Sequence, residues 1–116
     1  MTDPEERREN RAKWAAALRD PKRRQTTGKL GHQDKDGQCC LGVLAEIAGC
    51  EFSLAGSYCG WDSHINNAPP RAMDFVGLQY QNGEYARSSL SNDNDGGKSF
   101  AEIADIIESE PEGLFR

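Results

Sequence analysis

Nine residues near the middle of the chain, Cys40-Leu41-Gly42-Val43-Leu44-Ala45-Glu46-Ile47-Ala48, constrain the fold more than any other segment. Cys40, Val43, Leu44 and Ile47 recur at i, i+3, i+4 and i+7, and Leu41 and Ala48 widen that stripe. The run therefore predicts a helix buried on most of its surface, stopped by Gly49 as the left-handed residue that ends it. A chain of 116 residues with 36% hydrophobic content forms one small core, and this helix is its expected centre.

Two further helices are legible from their ends. Asp3 caps the first, Pro4 takes its first position and Glu6 completes a capping box. It runs to about Arg19, presents Trp14, Ala17 and Leu18 to the core, and stops before Pro21. Ser99 caps the last, with Glu102 three residues on, and Phe100, Ile103, Ala104 and Ile107 form its stripe. Pro111 and Gly113 end it, and Leu114-Phe115 are expected to fold back as an apolar clip. Pro70 opens a short helix through Met73 and Val76, closed at Gly77-Leu78.

The remainder is polar. Residues 22–40 read as a basic hairpin turning at Asp36-Gly37, and Asn82-Gly83 marks a second strand pair within 79–89. Residues 50–70 scatter Gly56, Gly60, Asn66, Asn67, Pro69 and Pro70 and read as an irregular insertion loop. Ser91 to Gly97 read as a turn. The expected architecture is a single α+β domain over 1–116: an N-terminal helix, a short antiparallel hairpin or sheet, a buried central helix and a C-terminal capped helix.

Charge excludes several functions. The net charge is -5, but residues 1–35 carry ten Lys and Arg against six acids, a balance of +4. Residues 36–116 carry four against thirteen, a balance of -9. A duplex-DNA binder needs a dense cationic footprint that this chain lacks. No apolar run is long enough to span a membrane. The start, Met1-Thr2-Asp3-Pro4-Glu5-Glu6, has neither the basic opening nor the apolar stretch of an export signal, so a cytoplasmic location is expected.

The chemistry-bearing residues narrow the choice further. Four cysteines (39, 40, 50, 59) and two histidines (32, 64) contain no C-x-x-C pair, and neither a metal site nor a disulfide framework is expected. A Cys-dependent hydrolase would use Cys39 or Cys40 at a helix N-terminus, which lowers a thiol pKa, with His32 or His64 as base and Asp34 or Asn66 to orient it. Asp93-Asn94-Asp95-Gly96-Gly97 lacks the glycine and glutamate positions of an EF-hand, and Thr27-Gly28-Lys29 lacks the earlier glycine of a P-loop. The remaining cluster is Lys22, Arg23, Arg24, Gln25, Thr26, Thr27 and Lys29. Arg forks, Thr hydroxyls and the Gly28 amide suit a phosphate, and Trp61 with Tyr58 could stack a base. The expected ligand-binding residues are thus Arg23, Arg24, Gln25, Thr26, Thr27, Lys29 and Trp61, with no catalytic residue and no cofactor.

Several motifs occur in a telling order: Trp14-x3-Leu18, Gln25-Thr26-Thr27-Gly28-x-Leu30, Cys39-Cys40-Leu41-Gly42-Val43-Leu44, Leu90-Ser91-Asn92-Asp93, Ser99-Phe100-Ala101-Glu102-Ile103-Ala104 and Pro111-Glu112-Gly113-Leu114-Phe115. This order resembles a family of small accessory proteins of tailed phages and prophages. Ala45 departs from a cysteine that many members carry there. The resemblance implies a phage protein acting in a bacterial cytoplasm, and it implies no reaction. The leading expectation is anti-defence sequestration, without turnover, of a small phosphorylated or nucleotide-derived signal by a homo-oligomer. The alternatives are a protein–protein inhibitor of a host factor and the Cys-dependent hydrolase.

Overall fold

The computed structural model describes residues 2–32, 37–55, 58–86 and 88–116. Along the chain it contains α1 (Pro4–Leu18), β1 (Gly31–His32), α2 (Cys40–Ile47), β2 (Phe52–Ala55) and β3 (Tyr58–Trp61). These are followed by α3 (Pro70–Val76), β4 (Glu84–Tyr85), β5 (Ser88–Ser89), α4 (Leu90–Asp95) and α5 (Phe100–Ser109). The chain is an α+β domain: α1, α2, α3 and α5 surround the core, and two small antiparallel sheets flank it.

The helix α2 lies at the centre, with every residue from Cys40 to Ala45 buried. Trp14 on α1 is fully buried and donates its indole N–H to the Cys40 carbonyl at 3.0 Å, satisfying its one polar atom. The closest approach is at Gly42, where an added Cβ would stand 2.0 Å from the Leu30 carbonyl oxygen. The Leu30 backbone is pressed directly on the helix, and its carbonyl accepts the Cys39 N–H at 3.0 Å. At the other end the Gly49 N–H reaches the Glu46 carbonyl and the Cys50 N–H the Ala45 carbonyl, a Schellman closure.

The outer helices form where their caps predict them. Asp3 accepts from the Glu6 N–H at 2.9 Å, and Ser99 and Glu102 make the reciprocal capping box of α5. The tail clip is present: Leu114 is fully buried, Phe115 bridges Leu78, and the Arg11 guanidinium lies 4.0 Å above the Phe115 ring.

Three expectations are corrected. Residues 50–70 are not one irregular loop, because β2 and β3 pair in register Phe52↔Trp61 to Ala55↔Tyr58 and β1 adds to β3 in the order β1-β3-β2. Gly60 is a strand residue whose Cβ would lie 2.6 Å from the His64 carbonyl oxygen. There the chain folds back on itself, through a two-residue turn with Asp62 and Ser63 at φ of 50° and 67°. The second strand pair, β4 with β5, does fall within 79–89, but β4 starts directly after Asn82-Gly83 and the chain reverses between Tyr85 and Ser88 instead. The polar turn after Leu90 is instead helix α4: the Ser89 hydroxyl accepts from the Asn92 N–H, and Asp93 and Asn94 are buried.

The basic segment is not a simple hairpin either. Gln38 lies between Gln25, which it bridges in parallel, and Gly31, which it bridges antiparallel. The expected turn residue Asp36 lies outside the described residues.

Candidate functional site

The split in charge is answered within the fold. Arg7 pairs with Asp74 at 2.7 Å, and Arg11 with Glu110, Arg19 with Asp105 and Glu108, and Arg23 with Glu46 each pair at 2.6 Å. Each arginine comes from the basic N-terminal third and each acid from the acidic remainder. Much of that cationic character is therefore matched internally instead of being held for a polyanion.

Gln25 and Thr26 are turned toward a buried polar hub, Asn94, which is 1% exposed. The Asn94 side-chain oxygen accepts from Gln25 Nε2 at 2.8 Å and from the Cys40 N–H at 3.2 Å, while its Nδ2 donates to the Thr26 carbonyl at 2.7 Å. One side chain thereby caps α2 and fixes the basic segment against α4. Gln25 Nε2 also donates to the Lys98 carbonyl, and the Gly28 N–H donates to Asp95. Lys29 Nζ donates to Asn66 at 2.8 Å, Thr27 is exposed, and Arg24 is exposed with no ion pair among the described residues. These residues face different neighbours, and the structure does not gather them into one phosphate pocket.

It does bring Arg23 and Trp61 to one place. A cleft of about 190 Å³ is lined by Gln38, Glu46, Cys50, Phe52 and Trp61. Phe52 and Trp61, opposite each other across β2 and β3, form an edge-to-face pair with centroids 5.6 Å apart. Glu46 reaches the rim because it is the one charged residue of α2 and lies on the helix face that leaves the core. Gln38 is held by its backbone, donating to the Arg24 carbonyl at 3.0 Å and accepting from the Thr26 N–H at 2.9 Å. From Arg23, one terminal nitrogen, Nη1, donates to both Gln38 Oε1 (3.1 Å) and Glu46 Oε2 (2.6 Å). Arg23 Nε and Thr26 Oγ1 are buried with no hydrogen-bond partner among the described residues. Of the residues expected from sequence, Tyr58 is placed on β3 opposite His32 and Ala55.

Gln38, Glu46, Cys50 and Phe52 are not among the ligand-binding residues expected from the sequence. A lone acid inside an otherwise apolar helix is the signal that points to Glu46. Nothing in the sequence marks Gln38, whose place depends on chain segments from both sides.

The thiols of Cys39, Cys40 and Cys50 are raised, not activated. Cys39 is the N-cap of α2, but burial outweighs the helix terminus and pushes its thiol up to about 11. Cys40 is raised as well, again chiefly by burial, and its Sγ lies against the Leu90 carbonyl. Cys50 is pushed up to about 12 by burial and by its hydrogen bond to Asp62. His64 engages the Asp62 carbonyl through Nδ1 at 2.8 Å. Asp34 lies outside the described residues, as does the His32 side chain. Among the described residues no group of three His, Cys, Asp or Glu is placed to hold a metal, and no helix is long and apolar enough to cross a membrane.

Another, mostly polar hollow of about 330 Å³ opens beside β4, β5 and α4, with Glu84, Tyr85, Ser88 and Asn92 in its lining. The Tyr85 and Ser88 hydroxyls both donate to the buried Asp93 carboxylate, so this hollow is organised around internal hydrogen bonds.

No curated protein and no solved structure matches the chain. Residues 7–111 match the family model described as a domain of unknown function, DUF8296. That match takes in every helix from within α1 to α5, the cleft and the Asn94 hub, and the chain belongs to the DUF8296 family.

Proposed function

We propose that the protein is a non-enzymatic binding protein that captures a small nucleotide-like ligand in the cleft beneath β2 and β3. The observation that carries this reading is the cleft's make-up: an aromatic wall of Phe52 and Trp61 beside a polar rim of Gln38 and Glu46. An apolar cavity of about 150 Å³ accepts benzene, so a cleft of about 190 Å³ suits one flat ring. The sugar and phosphate would then lie outside it. Arg24, exposed and joined through its carbonyl to Gln38, is a cation with no ion pair among the described residues and is placed to meet them.

Capture suits this chemistry better than turnover. Burial raises the cysteines with described surroundings, Cys50 of the cleft lining among them, so the carboxylate of Asp62 beside Cys50 does not make it an activated thiolate. In the setting implied by the phage-protein resemblance, the protein would act in a bacterial cytoplasm as an anti-defence factor, withdrawing a phosphorylated signal without cleaving it.

Thermal denaturation with 5′-nucleoside monophosphates, cyclic nucleotides and ribose 5-phosphate tests the reading. A ligand at a hundred times its Kd adds about 2.7 kcal/mol, a rise in melting temperature on the order of 10 °C. The ligand should be recovered intact after heating. No rise with any nucleotide at millimolar concentration contradicts the proposal.

A further inference from the structure

The residue that most resembles a phosphate clamp, Arg23, is engaged with the rim of the cleft itself. We infer that Arg23 is a positioning residue, which sets Gln38 and Glu46 as a donor–acceptor pair reading the edge of a nucleobase. This rests on the proposed ligand cleft and specifies what the cleft selects.

An amide side chain can ordinarily be turned either way, and its two ends differ in chemistry. Here the choice is fixed. Arg23 Nη1 can only donate, so the Gln38 end that meets it at 3.1 Å is the carbonyl oxygen, and the Nε2 end is left to donate elsewhere. The same nitrogen holds Glu46 Oε2 at 2.6 Å, which leaves Oε1 as an acceptor. Among the described residues neither Gln38 Nε2 nor Glu46 Oε1 has a hydrogen-bond partner. Both side chains line the cleft beside Trp61 and Phe52.

The rim thus offers one N–H donor and one anionic acceptor next to a flat apolar wall. The complementary ligand is a planar heterocycle with an acceptor adjacent to an N–H donor. Nucleobases present that pair, as an amine beside a ring nitrogen or as a lactam. A phosphorylated sugar alone does not, and neither does a base stripped of its donor. Buried or half-buried hydrogen-bonding groups discriminate strongly against a ligand that leaves them unpaired. A single such bond corresponds to about tenfold in affinity.

The test is a titration followed by Trp fluorescence and calorimetry. The probes are AMP, GMP, CMP, UMP, ribose 5-phosphate and purine riboside 5′-monophosphate, which lacks the donor. At least one of the four nucleotides should bind the native protein about tenfold more tightly than purine riboside 5′-monophosphate. In Glu46→Ala that ratio should fall to within about twofold of one, a collapse that general destabilisation does not produce. Arg23→Gln should erode the same ratio with the fold retained, and Arg23→Lys should restore part of it. If the purine lacking the donor binds as well as the best nucleotide, the recognition pair is overturned while the cleft reading stands. If none of the six binds, both are overturned.

Discussion

The helical side of the molecule and the side bearing β2 and β3 handle polar groups in opposite ways. Along α1 and its C-cap, Arg7, Arg11 and Arg19 reach acids of α3, of the α5 C-cap and of α5, and Asn10 donates to the Phe75 carbonyl at 2.7 Å. There the charges close the structure on itself. Around the cleft, one arginine holds two side chains in place and leaves a second polar atom of each with no hydrogen-bond partner among the described residues. Opposite charges in the two thirds of the sequence thus serve assembly on one side and orientation on the other. Counting charge in a sequence does not separate these uses; the location of each acid does.

The sharpest way to break the comparison is at Gly42, on which both sides depend. Gly42→Ala would put a Cβ 2.0 Å from the Leu30 carbonyl oxygen, a backbone atom unable to rotate away. A loss of about 3 kcal/mol or more is expected, read as a drop in urea midpoint with both sides affected together.

Asn94→Ala comes next. It leaves the Thr26 carbonyl and the Cys40 N–H without their side-chain partner and frees Gln25, for an expected loss of about 2–3 kcal/mol. Hydrogen exchange should rise first at residues 24–30 and the start of α2. Unchanged exchange there would show that the basic segment is held by other contacts.

The α1 side is probed by acid. Asp74 is held down to about 2, first by the Arg7 side-chain hydrogen bond and then by Thr2. A carboxyl whose folded pKa is depressed adds stability that is present above its unfolded value near 4 and is lost as pH falls toward 2. Asp74 is about one third exposed, so the contribution is screened to roughly 1 kcal/mol. Asp74→Asn should therefore be less stable than the native chain at pH 7, and the gap should close between pH 4 and 2. A gap that is constant with pH would contradict the pairing.

The smallest effect lies on the sheet side. Ser63 has φ of 67° in a two-residue turn, a conformation that favours glycine. Ser63→Gly should raise stability by about 0.5–1 kcal/mol in thermal unfolding, with ligand binding unchanged.

Helices with an apolar stripe and a chemical stop were legible because the information is local: Asp3 and Pro4, Ser99 and Glu102, Gly49 and Gly77 each sit within a turn of what they terminate. Helix α4 was not legible, since Ser91-Asn92-Asp93-Asn94-Asp95 are weak helix formers and Leu90 is its one apolar residue. Its stability comes from the Ser89 cap, from the Tyr85 and Ser88 hydroxyls on Asp93, and from the distant partners of Asn94. The sheet was hidden for a related reason. Gly60 read as a break, whereas the segment from His64 packs so closely there that no side chain fits. At the site, Arg23 and Trp61 were legible by residue type. Gln38 and Glu46 were not, because each acquires meaning only through an arginine 15 and 23 residues away.

The most direct measurement is a nuclear magnetic resonance titration of labelled protein with the tightest-binding nucleotide, following the Gln38 side-chain amide and the Trp61 indole. Saturable shifts of both, together with backbone amides near Glu46, Cys50 and Phe52, are expected, with the Asn94 hub unmoved. Shifts confined to the polar hollow at Glu84, Ser88 and Asn92, or none at all at saturating nucleotide, would contradict the cleft as the binding site.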